Sequence, residues 1–159
     1  MLTSLDYADL ISWIAYKKYG VLLNKTQMNK LLFMCYGMYL AASGGRVLFE
    51  DDSPKAWPFG PVFPRVNKRF NPEVIPTPFS AEKQDIFKAN KMALQLVDRV
   101  VEKYHGYSAY TLSEWSHKEG GPWHTTIYGK DGEKKAVKWN QTIENDLIRE
   151  YFTPRNAKK

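Results

Sequence analysis

The sequence predicts a mainly α-helical protein, a compact single-domain bundle of about six helices with at most one short β-hairpin. The segment Lys25–Ala42 is apolar nearly all round, which is typical of a helix at the centre of a bundle. The flanking segments Ser4–Tyr19 and 80–104 instead carry one apolar face at helical spacing and one charged face. A chain of 159 residues with 43% apolar residues is long enough to bury one core, and no linker divides it.

Capping residues and breakers set the predicted helix boundaries. Thr3 or Ser4 can cap the first helix, Asn24 the second and Ser80 the fourth, while Gly106 lies just after the end of the fourth. The six predicted helices span Ser4–Tyr19, Lys25–Ala42, 62–70, 80–104, 108–118 and 141–151, the last capped by Asn140. We expect them to form one domain over residues 1–152, followed by a basic tail at 153–159 that frays.

The stretch 56–64, AWPFGPVFP, holds three prolines, one glycine and three aromatic residues. Proline removes a backbone donor, so the stretch is predicted to be a rigid, non-repetitive loop packed on the core, not an interior helix or a central strand. A second rigid turn is predicted at 120–123, GGPW, with residues 124–139 mixed and an exposed turn at 130–132. Trp57 and Trp123 either plug the core or present a binding surface, and both roles stay open. The short β-prone segment 46–50 predicts at most a small strand or hairpin.

The net charge of +6 is spread evenly over the three thirds of the chain. This distribution argues against a clustered nucleic-acid footprint and fits an acidic partner or solubility alone. The lysines at 134–138 and the tail are the best local support for nucleic-acid binding. The lone Cys35 lies in an apolar run, and neither a signal peptide nor a run long enough to span a membrane is present. We therefore expect a cytoplasmic protein with no membrane association.

No catalytic set stands out in the sequence. His117 and His124 flank Glu119 and loosely suggest a metal site, but the HExxH spacing is absent. Phosphate-cradling glycine loops are absent as well. We predict that the chain is not an enzyme and takes no cofactor or metal, with a hydrolase or metalloenzyme built on these three residues as the weaker alternative.

Four blocks, taken in order, resemble the Panacea domain family, which includes SocA-like antitoxins and phage-associated GepA-like proteins. The blocks are NKLLFMCYGMYL at 29–40, LFED at 48–51, AWPFGPVFPRV at 56–66 and SHKEGGPW at 116–123. The resemblance runs from about residue 4 to about residue 125.

The resemblance implies a mostly helical antitoxin that neutralises a cognate toxin or other target protein by direct contact. SocA also serves as a proteolytic adaptor, so a cellular protease is a further expected partner. A phage-encoded inhibitor of a host protein and a nucleic-acid-binding regulator are the alternatives. The resemblance implies no catalytic residues. The family-motif residues and candidate partner contacts are Trp57, Phe59, Gly60, Pro61, Phe63, Trp115, His117, Glu119, Pro122 and Trp123.

Overall fold

The computed structural model describes residues 1–129 and 139–154 and confirms the mainly α-helical fold. Within these residues the chain forms eight helices and a small three-stranded antiparallel sheet of order β2-β1-β3. The helices are α1 Ser4–Tyr19, α2 Lys25–Ala42, α3 Pro64–Arg69, α4 Ala81–Ala89, α5 Lys91–Tyr104, α6 Ala109–Ser116, α7 Pro122–Tyr128 and α8 Asn145–Phe152. The strands are β1 Lys55–Trp57, β2 Gly60–Val62 and β3 Gln141–Thr142.

Helix α2 occupies the centre of the fold, and 12 of its 18 residues are buried. It packs against α1, α5, α6 and α8 and against strand β2. The predicted bounds of α1 and α2 agree with the structure, because capping boxes start both helices. Thr3 pairs with Asp6 in α1, and Asn24 pairs with Gln27 in α2. Throughout the described residues, every helix is too short or too polar to cross a bilayer.

The prediction of one long helix over 80–104 is wrong, because Asn90 divides it into α4 and α5. Asn90 leaves the helical region with φ −112° and ψ 81°. Its side-chain oxygen accepts a hydrogen bond from the backbone N–H of Ala93, and its amide nitrogen donates to the Tyr39 hydroxyl at 3.1 Å. An asparagine that caps the following helix competes with helix continuation, and the Tyr39 contact stabilises the break.

The hairpin lies elsewhere than predicted. Residues 46–50 form no strand, whereas the stretch 56–64 contributes to β1 and β2, and β1 is the central strand of the sheet. Strands tolerate these prolines because Pro58 falls in the turn and Pro61 lies on edge strand β2, opposite Ala56. The prediction of a non-repetitive loop that avoids a central strand is therefore wrong.

Two further boundaries differ at the C-terminal end. The last helix begins at Asn145, not at 141, because residues 141–142 pair with β1 as strand β3. Asn140 is no helix cap: it adopts φ 69°, and its backbone N–H donates to the Ala56 carbonyl at 3.0 Å. The predicted turn at 120–123 instead leads into α7, with Pro122 in the first helical turn. The predicted turn at 130–132, the lysines at 134–138 and the tail from 155 lie outside the described residues.

The acidic residues after α2 connect separate parts of the fold. Asp51 accepts hydrogen bonds from the backbone N–H and the hydroxyl of Ser4, at 2.8 and 2.9 Å. Asp52 accepts from the backbone N–H groups of Arg65 and Val66 at the start of α3. A carboxylate is favoured there because it satisfies donors that a helix N-terminus leaves without partners. Asp51, the last residue of the LFED block, thus holds α1, and Asp52, which follows the block, holds α3.

We predict that Gly37→Ala destabilises the protein, although alanine is the better helix former by about 1 kcal/mol. Gly37 lies in the middle of α2, and a Cβ there would overlap the Phe152 ring of α8. That ring packs in turn against Phe33 and Trp115, so it has little freedom to move away. Urea unfolding should show a loss of about 1–3 kcal/mol in the free energy of unfolding.

Gly106→Ala is the matched control for this prediction, because nothing lies within 4 Å of the Cβ position there. It should leave stability nearly unchanged. A Gly37→Ala protein as stable as the wild type would show that α8 does not pack tightly on α2.

Candidate functional site

The structure brings two separate motif blocks together at the β1–β2 hairpin. The indole N–H of Trp123, at the start of α7, donates to the Trp57 carbonyl at 2.7 Å. His117, at the end of α6, places Nε2 at 3.0 Å from the Pro58 carbonyl and Nδ1 against the Ser113 carbonyl. The SHKEGGPW block therefore holds the backbone of the AWPFGPVFP block.

Helix α2 holds the same hairpin from its inner side. Lys30 Nζ donates to the Pro61 carbonyl at 3.0 Å, and Asn29 Oδ1 accepts from the backbone N–H of Phe63 at 2.9 Å. Only 1% of Lys30 and 2% of Asn29 is exposed to solvent. Buried backbone groups need hydrogen-bond partners, and these two buried polar residues of α2 supply them. We name Asn29, Lys30, His117 and Trp123 the hairpin clamp.

Gly60 lets the hairpin lie this close to α2. It adopts φ +109°, a conformation that other residues rarely take. A Cβ built on Gly60 would lie 2.5 Å from Ser116 Oγ and 3.0 Å from Lys30 Cε. Both the backbone conformation and the available space therefore require glycine.

Burial governs the electrostatics of the clamp. Desolvation lowers the pKa of Lys30 from its ordinary value of 10.5 to about 8. The Pro61 carbonyl compensates part of the cost of burying the ammonium group. The amine is covered by the hairpin, with Nζ lying 3.2 Å from the Cβ position of Gly60, so it is not open to a substrate.

The predicted site residues divide into an inner and an outer group. Gly60, Pro61, Phe63, Pro122 and Trp123 are buried, while Trp57, Trp115 and His117 are partly buried and Phe59 and Glu119 are exposed. Trp123 is 5% exposed and belongs to the core, whereas 74% of Phe59 faces solvent at the hairpin turn. Trp115 lies in a separate aromatic cluster with Phe33 and Phe152.

Four residues near the hairpin were not predicted as site residues. Asn29 and Lys30 open the NKLLFMCYGMYL block directly before the apolar run of α2, and their place in that block was the available signal. Asn140 and Trp139 gave no comparable signal, because they approach β1 only through the pairing of β3. The Trp57 indole N–H donates to Asn140 Oδ1 at 3.0 Å, and 49% of Trp139 is exposed.

An open cleft of about 560 Å³ lies on the outer side of this region. We name it the tryptophan cleft, and its lining residues are Lys55, Trp57, Pro58, Pro64, Trp139 and Asn140. Two indoles and two proline rings form most of its wall.

Both histidines considered as a metal site make other contacts, and Glu119 is exposed. Each ring nitrogen of His117 faces a backbone carbonyl, and the His124 ring packs against Tyr128 with centroids 4.5 Å apart. Within residues 1–129 and 139–154, no group of three His, Cys, Asp or Glu residues is placed to hold a metal ion.

We predict that Lys30 makes stability rise with pH. Below pH 8 the amine is protonated in both states, so the full cost of burying the charge is present. Between pH 8 and 10.5 the unfolded chain binds more protons than the folded protein, so the free energy of unfolding increases with pH. Relative to Lys30→Met, the wild type should gain up to about 3 kcal/mol over this interval.

Urea unfolding of both proteins at pH 7 and pH 10 measures this gain. The titrations of other groups are shared and cancel in the difference. Lys25→Met, which removes an exposed lysine from the same helix, is the control for the loss of a lysine outside the clamp. A difference for Lys30→Met that does not change with pH would mean that the amine is solvated in the folded protein.

Comparison with known proteins supports the resemblance seen in the sequence. The chain matches the family described as antitoxin SocA-like, Panacea domain, over residues 28–124, which is more than half of its length. The match begins within α2, so α1 lies outside it, although the resemblance was expected to start near residue 4. No curated protein and no solved structure matches the chain. The matched range contains the whole hairpin clamp, and the chain belongs to the SocA-like antitoxin family with a Panacea domain.

Proposed function

We propose that this protein is a non-enzymatic antitoxin that neutralises a partner protein by direct contact. The observation that carries the proposal is the clamped hairpin of a Panacea domain, with an aromatic residue left at its exposed turn. A rigid aromatic side chain loses little entropy on binding and is a common hot spot of protein interfaces. The buried single cysteine, Cys35, is compatible with the cytoplasm as the place of action.

The chemistry-bearing residues of the motifs support a non-enzymatic role. His117 directs both ring nitrogens at backbone carbonyls, and Lys30 is covered by the hairpin. The Trp123 indole N–H likewise donates to the Trp57 carbonyl. These groups form hydrogen bonds to the backbone of the hairpin. The hairpin therefore offers a partner its shape and its apolar surface.

We expect this protein to rescue growth when it is co-expressed with the product of the neighbouring gene. The two proteins should also co-purify, because neutralisation by contact requires a stable complex. Expression of the neighbouring gene alone, and of this protein with an unrelated toxin, are the controls. Absence of both rescue and co-purification would contradict the proposed function.

The same assay separates direct neutralisation from two other modes. Rescue that persists in a strain without its ATP-dependent proteases, at an unchanged toxin level, supports neutralisation by contact alone. Rescue that depends on a protease and lowers the toxin level assigns the adaptor role instead. A fall in toxin mRNA would point to regulation through nucleic acid.

A further inference from the structure

We propose that the tryptophan cleft and Phe59 together form the surface that binds the partner, and that they take an acidic segment carrying one large apolar anchor side chain. This inference rests on the proposed function, namely that the protein acts by binding another protein. It adds the position of the contact and the chemistry of what is bound.

The lining of the cleft fits an apolar anchor. Trp57, Trp139, Pro58 and Pro64 surround a volume of about 560 Å³ that opens to solvent. Burying a large apolar side chain there would remove two indoles and two proline rings from water. Phe59, 74% exposed, follows Pro58 in the hairpin turn and offers a further apolar side chain to solvent.

The cleft is also preorganised. Trp57 is fixed at both ends, because its indole donates to Asn140 and its carbonyl accepts from Trp123. The next carbonyl, that of Pro58, is held by His117. Side chains and backbone that are already ordered lose little freedom on association, so more of the burial energy contributes to affinity.

The charges at the rim favour an acidic segment. Lys55 lines the cleft, with Nζ donating to Thr142 Oγ1 at 2.6 Å. Arg65 and Lys68 of α3 are exposed and share an adjoining depression with Lys55 and Pro64. A cationic anchor would approach these three basic groups, and their repulsion opposes cation–π binding to the indoles.

Three carboxylates, those of Glu50, Asp51 and Asp52, line the adjoining depression, where four basic residues outnumber them: Lys55, Arg65, Lys68 and Arg69. Asp51 accepts from Ser4, and Asp52 accepts from the first N–H groups of α3. Both are directed at donors within the fold, although Asp51 also lies 3.8 Å from the Arg65 guanidinium. Arg65 and Lys68 are exposed to solvent, and the protein carries a net charge of +6. Complementary charge therefore selects an acidic partner and speeds its association.

Three fluorescein-labelled peptides test the proposal directly. All three carry a central Leu-Phe anchor. The residues on either side of this anchor are Asp and Glu in the first peptide, Gly and Ser in the second, and Lys and Arg in the third. Fluorescence anisotropy should show the acid-flanked peptide binding at least about tenfold more tightly than the Lys/Arg-flanked one, with the difference shrinking at high salt. The indole N–H resonances of Trp57 and Trp139 should shift on binding. Equal affinity for all three peptides, no binding, or unshifted indoles would each overturn the proposal.

Surface variants provide the second arm of the test. Phe59→Ala and Trp139→Ala should each lower the affinity for the acid-flanked peptide by about tenfold. Lys55→Glu should reverse the order of affinities, so that the Lys/Arg-flanked peptide binds more tightly than the acid-flanked one. Ile86→Ala is the control, because Ile86 is a half-exposed apolar residue at a different cleft, beside Met1 and Ala89. Circular dichroism melts should show that all four variants remain folded. Wild-type affinity in both aromatic variants would overturn the proposal.

The rescue assay separates failure of this surface from failure of the proposed function. If the wild type rescues growth and Phe59→Ala and Trp139→Ala do not, both ideas hold. If all variants rescue equally, the antitoxin function stands and the surface is wrong. If the wild type does not rescue, the peptide arm still decides the surface. Displacement of the acid-flanked peptide by duplex DNA would overturn the proposed surface, because the cleft would then bind nucleic acid. Self-association of the wild type that is lost in Phe59→Ala would also overturn it, because the cleft would then bind a second copy of the chain.

Discussion

The rest of this structure depends on how the β1–β2 hairpin, packed against α2, finds hydrogen-bond partners for its backbone carbonyls. Three prolines in nine residues remove N–H donors, and the carbonyls of Trp57, Pro58 and Pro61 still need partners away from other strands. Side chains from α2, α6 and α7 supply those partners. The cost of this solution is a buried lysine whose pKa is lowered by desolvation.

Helix α2 serves both the core and the site. Its apolar residues organise the surrounding helices, and its two buried polar residues, Asn29 and Lys30, bond to the hairpin. An aromatic triad strengthens the same junction: Tyr36, Phe49 and Phe63 pack with ring centroids 5.3 to 5.5 Å apart. Such contacts add to the stability that area burial alone provides. Core packing and hairpin position are therefore coupled, and a change in one is expected to disturb the other.

Some motif residues support the hairpin from within the fold, and others are exposed to solvent. Trp123 is buried and bonded, so it stabilises the hairpin, whereas Phe59 in the neighbouring block faces solvent. Membership of the family identifies the scaffold. The outer surface, with Phe59 and Trp139, is where we place the recognition of a particular partner. Two aromatic residues in similar Gly-Pro surroundings thus have different roles, and nearness to glycine and proline does not distinguish them.

The sequence by itself determined α1 and α2, because apolar spacing and capping boxes are local properties of a few neighbouring residues. The sequence also identified the AWPFGPVFP and SHKEGGPW blocks as motifs. Only the tertiary structure decided the break at Asn90, the strand at 141–142 and the assembly of the clamp. Each of these depends on contacts between distant residues, such as Asn90 with Tyr39, or Asn140 with Trp57. Local periodicity carries no information about such pairings, since they form only when the chain has folded around α2.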